Sequence, residues 1–323
     1  MTYVLFLLGY GILRKISLLL FSLILFGAFG LAAFSMGAAQ SQHLTAFTIP
    51  TRQGVTVKGL LVMPTGTPKG VLLLFIGGAG TTAFGNCCQG DTVNYNSNFL
   101  SASTPLFTAR GYAVFLVNAP SDQPNGMSPD FRLSSANVQD ISMVVDFLLS
   151  KSLTPLFLVG TSRGTISVES FASANPKDSR IASIVLTSSY SPPELQILVK
   201  GATLSVQSIT LPVLFVHNVY DACSETPFQN ALDFSKLFTS STKMNFIQVQ
   251  DKVSGPGGSD PDPCGPGGGH GYHGIESQVV SDITDWASQV ISQSQSQAIS
   301  PTTMLITIAP NSKPRINSEL YTA

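Results

Sequence analysis

Gly160-Thr161-Ser162-Arg163-Gly164 sets a serine hydroxyl between two glycines, each two positions away. An apolar run, Leu156–Val159, leads into it and the helix-compatible Thr165–Ala174 follows. A serine in this setting sits on a sharp strand-to-helix turn that lifts its hydroxyl above a sheet. The backbone there is strained, so flanking residues must be small for strand and helix to close on each other. The chemistry such a serine performs is nucleophilic attack on a carbonyl.

A serine nucleophile needs a base, a group to orient that base, and N–H donors for the oxyanion. In a strand-turn-helix setting of this kind the order along the chain is serine, acid, histidine. The chain has four histidines. His43 lies ahead of the first expected strand, and His217 precedes the acid position at a strand end. His270 and His273 remain, both after the last strong strand; His270 is preferred and His273 is the alternative. Asp221 lies just past the apolar run Pro212–Val216, where a carboxylate can hold the imidazole in its productive tautomer. Asp260 and Asp262 lie closer to His270 in sequence, but in a Gly- and Pro-rich loop that would orient a base poorly. The oxyanion donors are expected to be the backbone N–H of Arg163 and one from the turn after Val71–Ile76, with Gly78 preferred and Ala79 next.

The elements that must position these groups alternate between apolar runs and helical stretches, which predicts a mostly parallel α/β sheet. Strands are expected over Leu44–Ile49, Val55–Met63, Val71–Ile76, Ala113–Val117, Ile181–Leu186, Pro212–Val216 and Met244–Val249, besides the run entering Ser162. Helices are expected over Pro105–Arg110, Ser134–Ser150, Phe228–Leu237 and Gly274–Val290. In the second of these, Val138, Ile141, Val144, Val145 and Leu148 share one side. Between Tyr190 and Leu211 there is room for about one helix, so little or no lid is expected over the site. From Ser292 to Ala323 the Ser/Gln repeat predicts a flexible tail.

With Gly77-Gly78 after the third strand, Gly160–Gly164, Asp221 and His270-Gly271-Tyr272 together resemble the α/β-hydrolase superfamily, and most closely its dienelactone-hydrolase-like secreted branch. The resemblance covers roughly Val55 to Val290. It implies an eight-stranded-type, mostly parallel sheet with helices on both faces, with Ser162 as nucleophile, Asp221 as acid and His270 as base. Dienelactone hydrolases proper are similar but use cysteine; serine at position 162 points instead to an esterase acting on a small-molecule carboxylic ester. A peptidase or thioesterase would use the same residues, and a non-catalytic binding module could retain them. The segments Asp221-Ala222-Cys223 and Asp262-Pro263-Cys264 further suggest a Cys223–Cys264 disulfide.

Residues 1–39 hold no acidic residue, with Arg14 and Lys15 ahead of the uncharged Ile16–Phe34 and then Gly37-Ala38-Ala39. This is the pattern of a secretory signal. The apolar run would reach about 28 Å as a helix, near the roughly 30 Å of a bilayer core, so an uncleaved membrane tether is the alternative. Either way the body of the protein, residues 40–291, is expected to be exported. Without residues 1–39 the chain loses two of 17 basic residues and none of 18 acidic ones, leaving a net charge of −3. That balance, with no basic block, argues against nucleic acid as a partner. The four cysteines suit an oxidising compartment and lack zinc-type spacing, so no metal is expected. Gly78-Ala79-Gly80-Thr81-Thr82-Ala83 matches a loose dinucleotide fingerprint, but loop residues follow where a helix would have to open, so no cofactor is expected.

Overall fold

The β3 strand, Val71–Phe75, is buried along its whole length. Successive side chains of a strand point to opposite faces. Val71, Leu73 and Phe75 accordingly join one core cluster, and Leu72 and Leu74 another. A strand apolar on both sides needs helices above and below it, and this fixes the layering of the molecule. The computed structural model describes residues 43–82, 98–191, 204–251 and 262–299.

Eight strands form one sheet in the order β1-β2-β4-β3-β5-β6-β7-β8. Around β3 these are β1 (His43–Arg52), β2 (Val55–Met63), β4 (Ala113–Pro120), β5 (Leu156–Ser162), β6 (Ile181–Ser189), β7 (Val213–Asn218) and β8 (Met244–Val249). The β1–β2 and β2–β4 pairs are antiparallel; every pair from β4 to β8 is parallel. One face carries α4 (Ser135–Ser150) and α5 (Gly164–Ala174); the other carries α1 (Phe99–Ala102), α2 (Thr104–Ala109) and α7 (Glu276–Ile299). The short α3 (Pro129–Leu133) precedes α4, and α6 (Phe228–Ser235) joins β7 to β8. The doubly covered, mostly parallel sheet is the α/β-hydrolase architecture expected from the sequence.

Local signals account for the ends of α4. The Ser134 side chain accepts the Asn137 N–H at its start, as an N-cap should. Ile141, Val144, Val145 and Leu148 are buried and Val138 is half-buried against the same core. Two elements differ from expectation. His43 opens β1 rather than preceding the sheet. The closing helix α7 runs to Ile299, through residues expected to be a flexible tail from Ser292. Glutamine is a good helix former, and Ser292, Ser294 and Ser296 each donate to the carbonyl four residues back. The repeat therefore continues the helix with its hydroxyls bonded to its own backbone.

Several expectations fall outside the described residues: the signal or tether in residues 1–39, the Cys87-Cys88 loop, the lid position at 192–203, and the tail beyond Ile299. Among the described residues no helix is long and apolar enough to cross a membrane.

Among the described glycines the tightest position lies at the start of α5. A Cβ on Gly164 would overlap the Phe75 carbonyl oxygen at the end of β3. Neither atom belongs to a flexible side chain, so nothing nearby can yield. Gly164→Ala is therefore expected to cost about 3 kcal/mol or more, read as a lowered urea midpoint; an unchanged midpoint would mean that α5 and β3 are not packed this way.

Candidate active site

Ser162 ends β5 with φ of 52°, a left-handed conformation uncommon outside glycine. Its neighbours show why the turn needs small residues. A Cβ on Gly160 would come 2.8 Å from the Thr165 Cα, and one on Gly77 would come 2.8 Å from the Ser162 Cβ. The Thr165 hydroxyl donates to the Ser162 carbonyl at 2.9 Å and closes the turn into α5. The hydroxyl of Ser162 is thereby held at the carboxyl end of the central strands, the usual position for function in an open parallel sheet.

His270 lies in a 3-10 turn over Gly269–Gly271. Its Nδ1 lies 3.1 Å from Asp221 Oδ2 and 3.2 Å from Oδ1. His270 and Ser162 line the same cavity, about 260 Å³ in volume, together with Ile76, Gly77, Gly78 and Phe99. His273, the alternative base, is largely exposed and lies 3.8 Å from Glu276. The structure thus brings Ser162, His270, Asp221 and Gly78 to one corner of the sheet, and leaves His273 outside it.

The acid is enclosed. Asp221 accepts the Cys223 N–H at 3.0 Å and the Thr226 hydroxyl at 2.8 Å. The Thr226 oxygen lies 3.0 Å from His270 Nδ1, so threonine bridges acid and imidazole. His217 completes the enclosure. Its Nδ1 accepts the Ser189 N–H at 3.3 Å, which places the proton on Nε2, and Nε2 donates to the Thr226 carbonyl at 2.9 Å. The same Nε2 lies 3.4 Å from Asp221 Oδ2. Burial alone would raise the Asp221 carboxyl; the hydrogen bonds from His217 and His270 outweigh it and hold the group well below the usual carboxylate range.

His217 was the histidine that sequence position argued out of the site as a base. It is not on the cavity, yet it is built into the cage around the acid. Its spacing of four from Asp221 was the available signal. Thr226 carried no signal in the sequence.

The loop bearing His270 is tied down on several sides. Ser188 Oγ donates to the His270 carbonyl at 2.9 Å. The Tyr272 hydroxyl accepts the Ser188 N–H and donates to the Val216 carbonyl, both at 2.7 Å. Asn218 donates to the Gly269 carbonyl at 3.0 Å. Cys223 and Cys264 form a disulfide across 41 residues, the pairing suggested by the resemblance.

The turn after β3 presents Gly78 and Ala79 outward while Gly77 and Gly80 are buried. Gly80 N–H donates to the Gly77 carbonyl at 3.1 Å, and Gly78 has φ of 56°. Beneath the turn Arg132, from α3, donates to the carbonyls of Ile76 and Gly78. Arg163, next after Ser162, pairs its guanidinium with Glu225 on the acid loop, Nε to Oε2 at 2.7 Å. Neither arginine side chain was singled out from the sequence; α3, which carries Arg132, was not expected as an element. Among the described residues no group of three His, Cys, Asp or Glu could hold a metal ion.

The fold is that of the α/β hydrolases. No protein-family model matches the chain, and no curated protein matches it in sequence. Among solved structures, a dienelactone hydrolase from Anabaena variabilis aligns with a TM-score of 0.52 at 14% identity, covering 77% of this chain and 98% of its own. A sugar hydrolase from Lactococcus lactis also aligns with a TM-score of 0.52 at 14% identity, covering 78% of this chain and 99% of its own.

One carboxyl near the serine turn has no such enclosure. Glu169 on α5 is fully buried; Ser189 donates to Oε1 at 3.3 Å and Oε2 has no partner among the described residues. Burial pushes this group up to about 8, against hydrogen bonds from Ser189 and Thr165. An unfolded glutamate ionises near 4.5. Between these values the unfolded chain sheds the proton while the native state keeps it, so stability falls as pH rises through the window and levels off above it. Glu169→Gln removes that slope. Its stability advantage in urea denaturation is expected to grow from about pH 5 to about pH 8, and an advantage that stays constant or shrinks would show that Glu169 is ionised in the fold.

Proposed function

We propose that the protein is an exported serine hydrolase that cleaves small carboxylic esters through an acyl-enzyme on Ser162. The observation that carries this reading is the hydrogen bond of His270 Nδ1 to the enclosed Asp221, with His270 and Ser162 facing one cavity. In the proposed reaction His270 Nε2 takes the Ser162 hydroxyl proton as Oγ attacks the ester carbonyl carbon. The resulting oxyanion is held by the N–H groups of Arg163 and Gly78. His270 then passes the proton to the leaving alcohol, and a water deprotonated by the same nitrogen hydrolyses the acyl-serine.

Asp221 serves as the orienter: it accepts from Nδ1, so Nε2 is the nitrogen left free for the proton traffic. The outward face of the turn at Gly78 and Ala79 supports its assignment to the oxyanion. A trans peptide sets a carbonyl opposite the following N–H; with the Gly78 carbonyl bonded inward to Arg132, the Ala79 N–H points outward, which keeps it as the second candidate donor of this turn. The cavity, about 260 Å³, lies at the small end of ligand sites and supports short acyl groups. That the fold neighbours are hydrolases agrees with the reaction class. Export rests on the charge and hydropathy pattern of residues 1–39, and the Cys223–Cys264 disulfide is in keeping with it.

A fluorophosphonate probe is expected to label the protein at Ser162, and Ser162→Ala to lower hydrolysis of a short p-nitrophenyl ester by at least about 10⁴-fold with an unchanged melting temperature. Near-parental turnover in Ser162→Ala, or labelling elsewhere, would refute the assignment. A panel of short esters, long esters, thioesters and peptides reads out the substrate class, with the short esters expected to turn over fastest.

A further inference from the structure

Arg132 is a fully buried cation. Burying a charge is costly unless an opposite charge or strong hydrogen bonds compensate it. The groups it bonds among the described residues are all neutral. One terminal nitrogen donates to the Ile76 carbonyl at 3.3 Å and the Gly78 carbonyl at 3.2 Å; the other donates to the Ser167 hydroxyl at 3.1 Å. The Nε has no partner among the described residues. Burial, with the Arg163 charge nearby, lowers the group to about 10, so it remains a cation at neutral pH. The carbonyl of Arg132 itself accepts from the buried Asn137 at 2.8 Å, which fixes the end of α3 that presents it.

The placement of this charge is informative. Ile76 and Gly78 belong to the turn after β3, and Ser167 belongs to α5, one helical turn past Ser162. These are the two backbone segments assigned the oxyanion N–H groups. The guanidinium meets the β3 turn through its carbonyls, opposite the exposed face at Gly78 and Ala79, and meets α5 through the Ser167 hydroxyl. The Gly78 carbonyl shares its peptide with the Ala79 N–H, so a cation bonded there strengthens Ala79, the other candidate donor of this turn, while the Gly78 N–H feels the charge only through space. A fixed charge in a water-excluded position also acts on developing negative charge without reorganising.

We propose that Arg132 is a positioning residue that clamps the β3 turn to α5, the helix that follows Ser162, and sets a fixed positive charge behind the oxyanion. The inference rests on the hydrolase reading above and extends it to a side chain that does not touch the substrate. The turn at Gly80 packs closely here: a Cβ on it would come 2.5 Å from an Arg132 terminal nitrogen and 2.6 Å from the Met127 methyl, so a substitute for Arg132 has little freedom to settle elsewhere.

The test compares Arg132→Gln, which can still donate to a carbonyl but is neutral, with Arg132→Lys, which keeps the charge. Three readouts are taken: melting temperature, kcat and KM on a short p-nitrophenyl ester, and inhibition by phenylboronic acid beside that by benzamide. The boronic acid forms an anionic tetrahedral adduct on the serine, whereas benzamide stays neutral. Arg132→Gln is expected to lower kcat by about 10²-fold and to weaken the boronic acid by a similar factor, with KM and benzamide inhibition within about threefold. Arg132→Lys is expected to recover about tenfold of that loss.

A folded Arg132→Gln with kcat and boronic acid inhibition near parental values would overturn the proposal. So would equal losses for the anionic and neutral inhibitors, which is what a merely structural role produces. If neither variant folds, Ser167→Ala removes the clamp's helix end and leaves the charge; a several-fold loss of kcat with KM unchanged is expected, and an unchanged kcat overturns the proposal. A parent protein that fluorophosphonate does not label would remove the hydrolase reading and this inference with it, whereas a labelled parent with an indifferent Arg132→Gln removes this inference alone.

Discussion

The site depends on one close approach of backbone to backbone. The start of α5 sits directly on the end of β3, where Gly164 meets the Phe75 carbonyl and Gly77 meets Ser162. Three missing side chains, at positions 77, 160 and 164, make this possible. The left-handed conformation of Ser162 is the local cost, of order 1–3 kcal/mol for such a residue. It is sustained because β5 is buried along its whole length between β3 and β6, so the turn cannot relax without opening the sheet. That same approach sets the β3 turn beside the serine, which is why one cavity collects residues from both.

Three buried ionisable groups around this contact are governed by one rule: the bonds each finds decide its charge. Asp221 is surrounded by donors from Cys223, Thr226 and His270 and is held as the carboxylate. Arg132 is surrounded by acceptors from Ile76, Gly78 and Ser167 and stays a cation. Glu169 finds hydroxyl donors only, from Ser189 and Thr165, with Oε2 left without a partner among the described residues, and keeps its proton at neutral pH. Of these three, the negative group lies on the histidine side of the cavity and the positive one beneath the β3 turn. A carbonyl substrate polarised between them would have its oxygen toward the positive side, the direction in which the proposed chemistry pushes electrons.

What could be read from the sequence follows from how far each signal reaches. The strands Val55–Met63 and Met244–Val249 were legible residue for residue, because period and composition are local properties. The serine turn was legible for the same reason: its glycines answer to neighbours within five residues, apart from the Phe75 contact. Asp221 could be placed by order along the chain, and His270 was preferred there over His273, only three residues on, which the fold leaves exposed beside Glu276. His217 stands four residues before Asp221, a spacing open to reading, but Thr226 and Arg132 act through partners 44 and 54 residues away, and no periodic pattern encodes such pairs. The Ser/Gln stretch failed in the other direction. Its composition reads as a linker, yet in register behind Val290 each serine can bond its own helix, and the elongating helix needs no new nucleus.

The histidine loop presents the sharpest energetic problem, and its solution explains the crowding of anchors there. Between Asp262 and Gly274 the chain carries six glycines, residues that lose the most backbone freedom on ordering. Few of its residues can bury apolar surface to compensate. Tyr272 is the exception: its ring packs 4.7 Å from Phe99 and its hydroxyl joins β6 to β7. The Cys223–Cys264 link closes a 41-residue separation, worth about 4 kcal/mol in lost unfolded-state freedom on the chain-entropy account. It also ties the loop to the segment that begins with Asp221. A break in either anchor would release acid and imidazole together, because Thr226 and Asp221 bond the same ring nitrogen. The disulfide and the tyrosine thus act on the relative position of two side chains neither of them touches, and order in this glycine-rich loop is imposed by its attachments to β6, β7 and the acid turn.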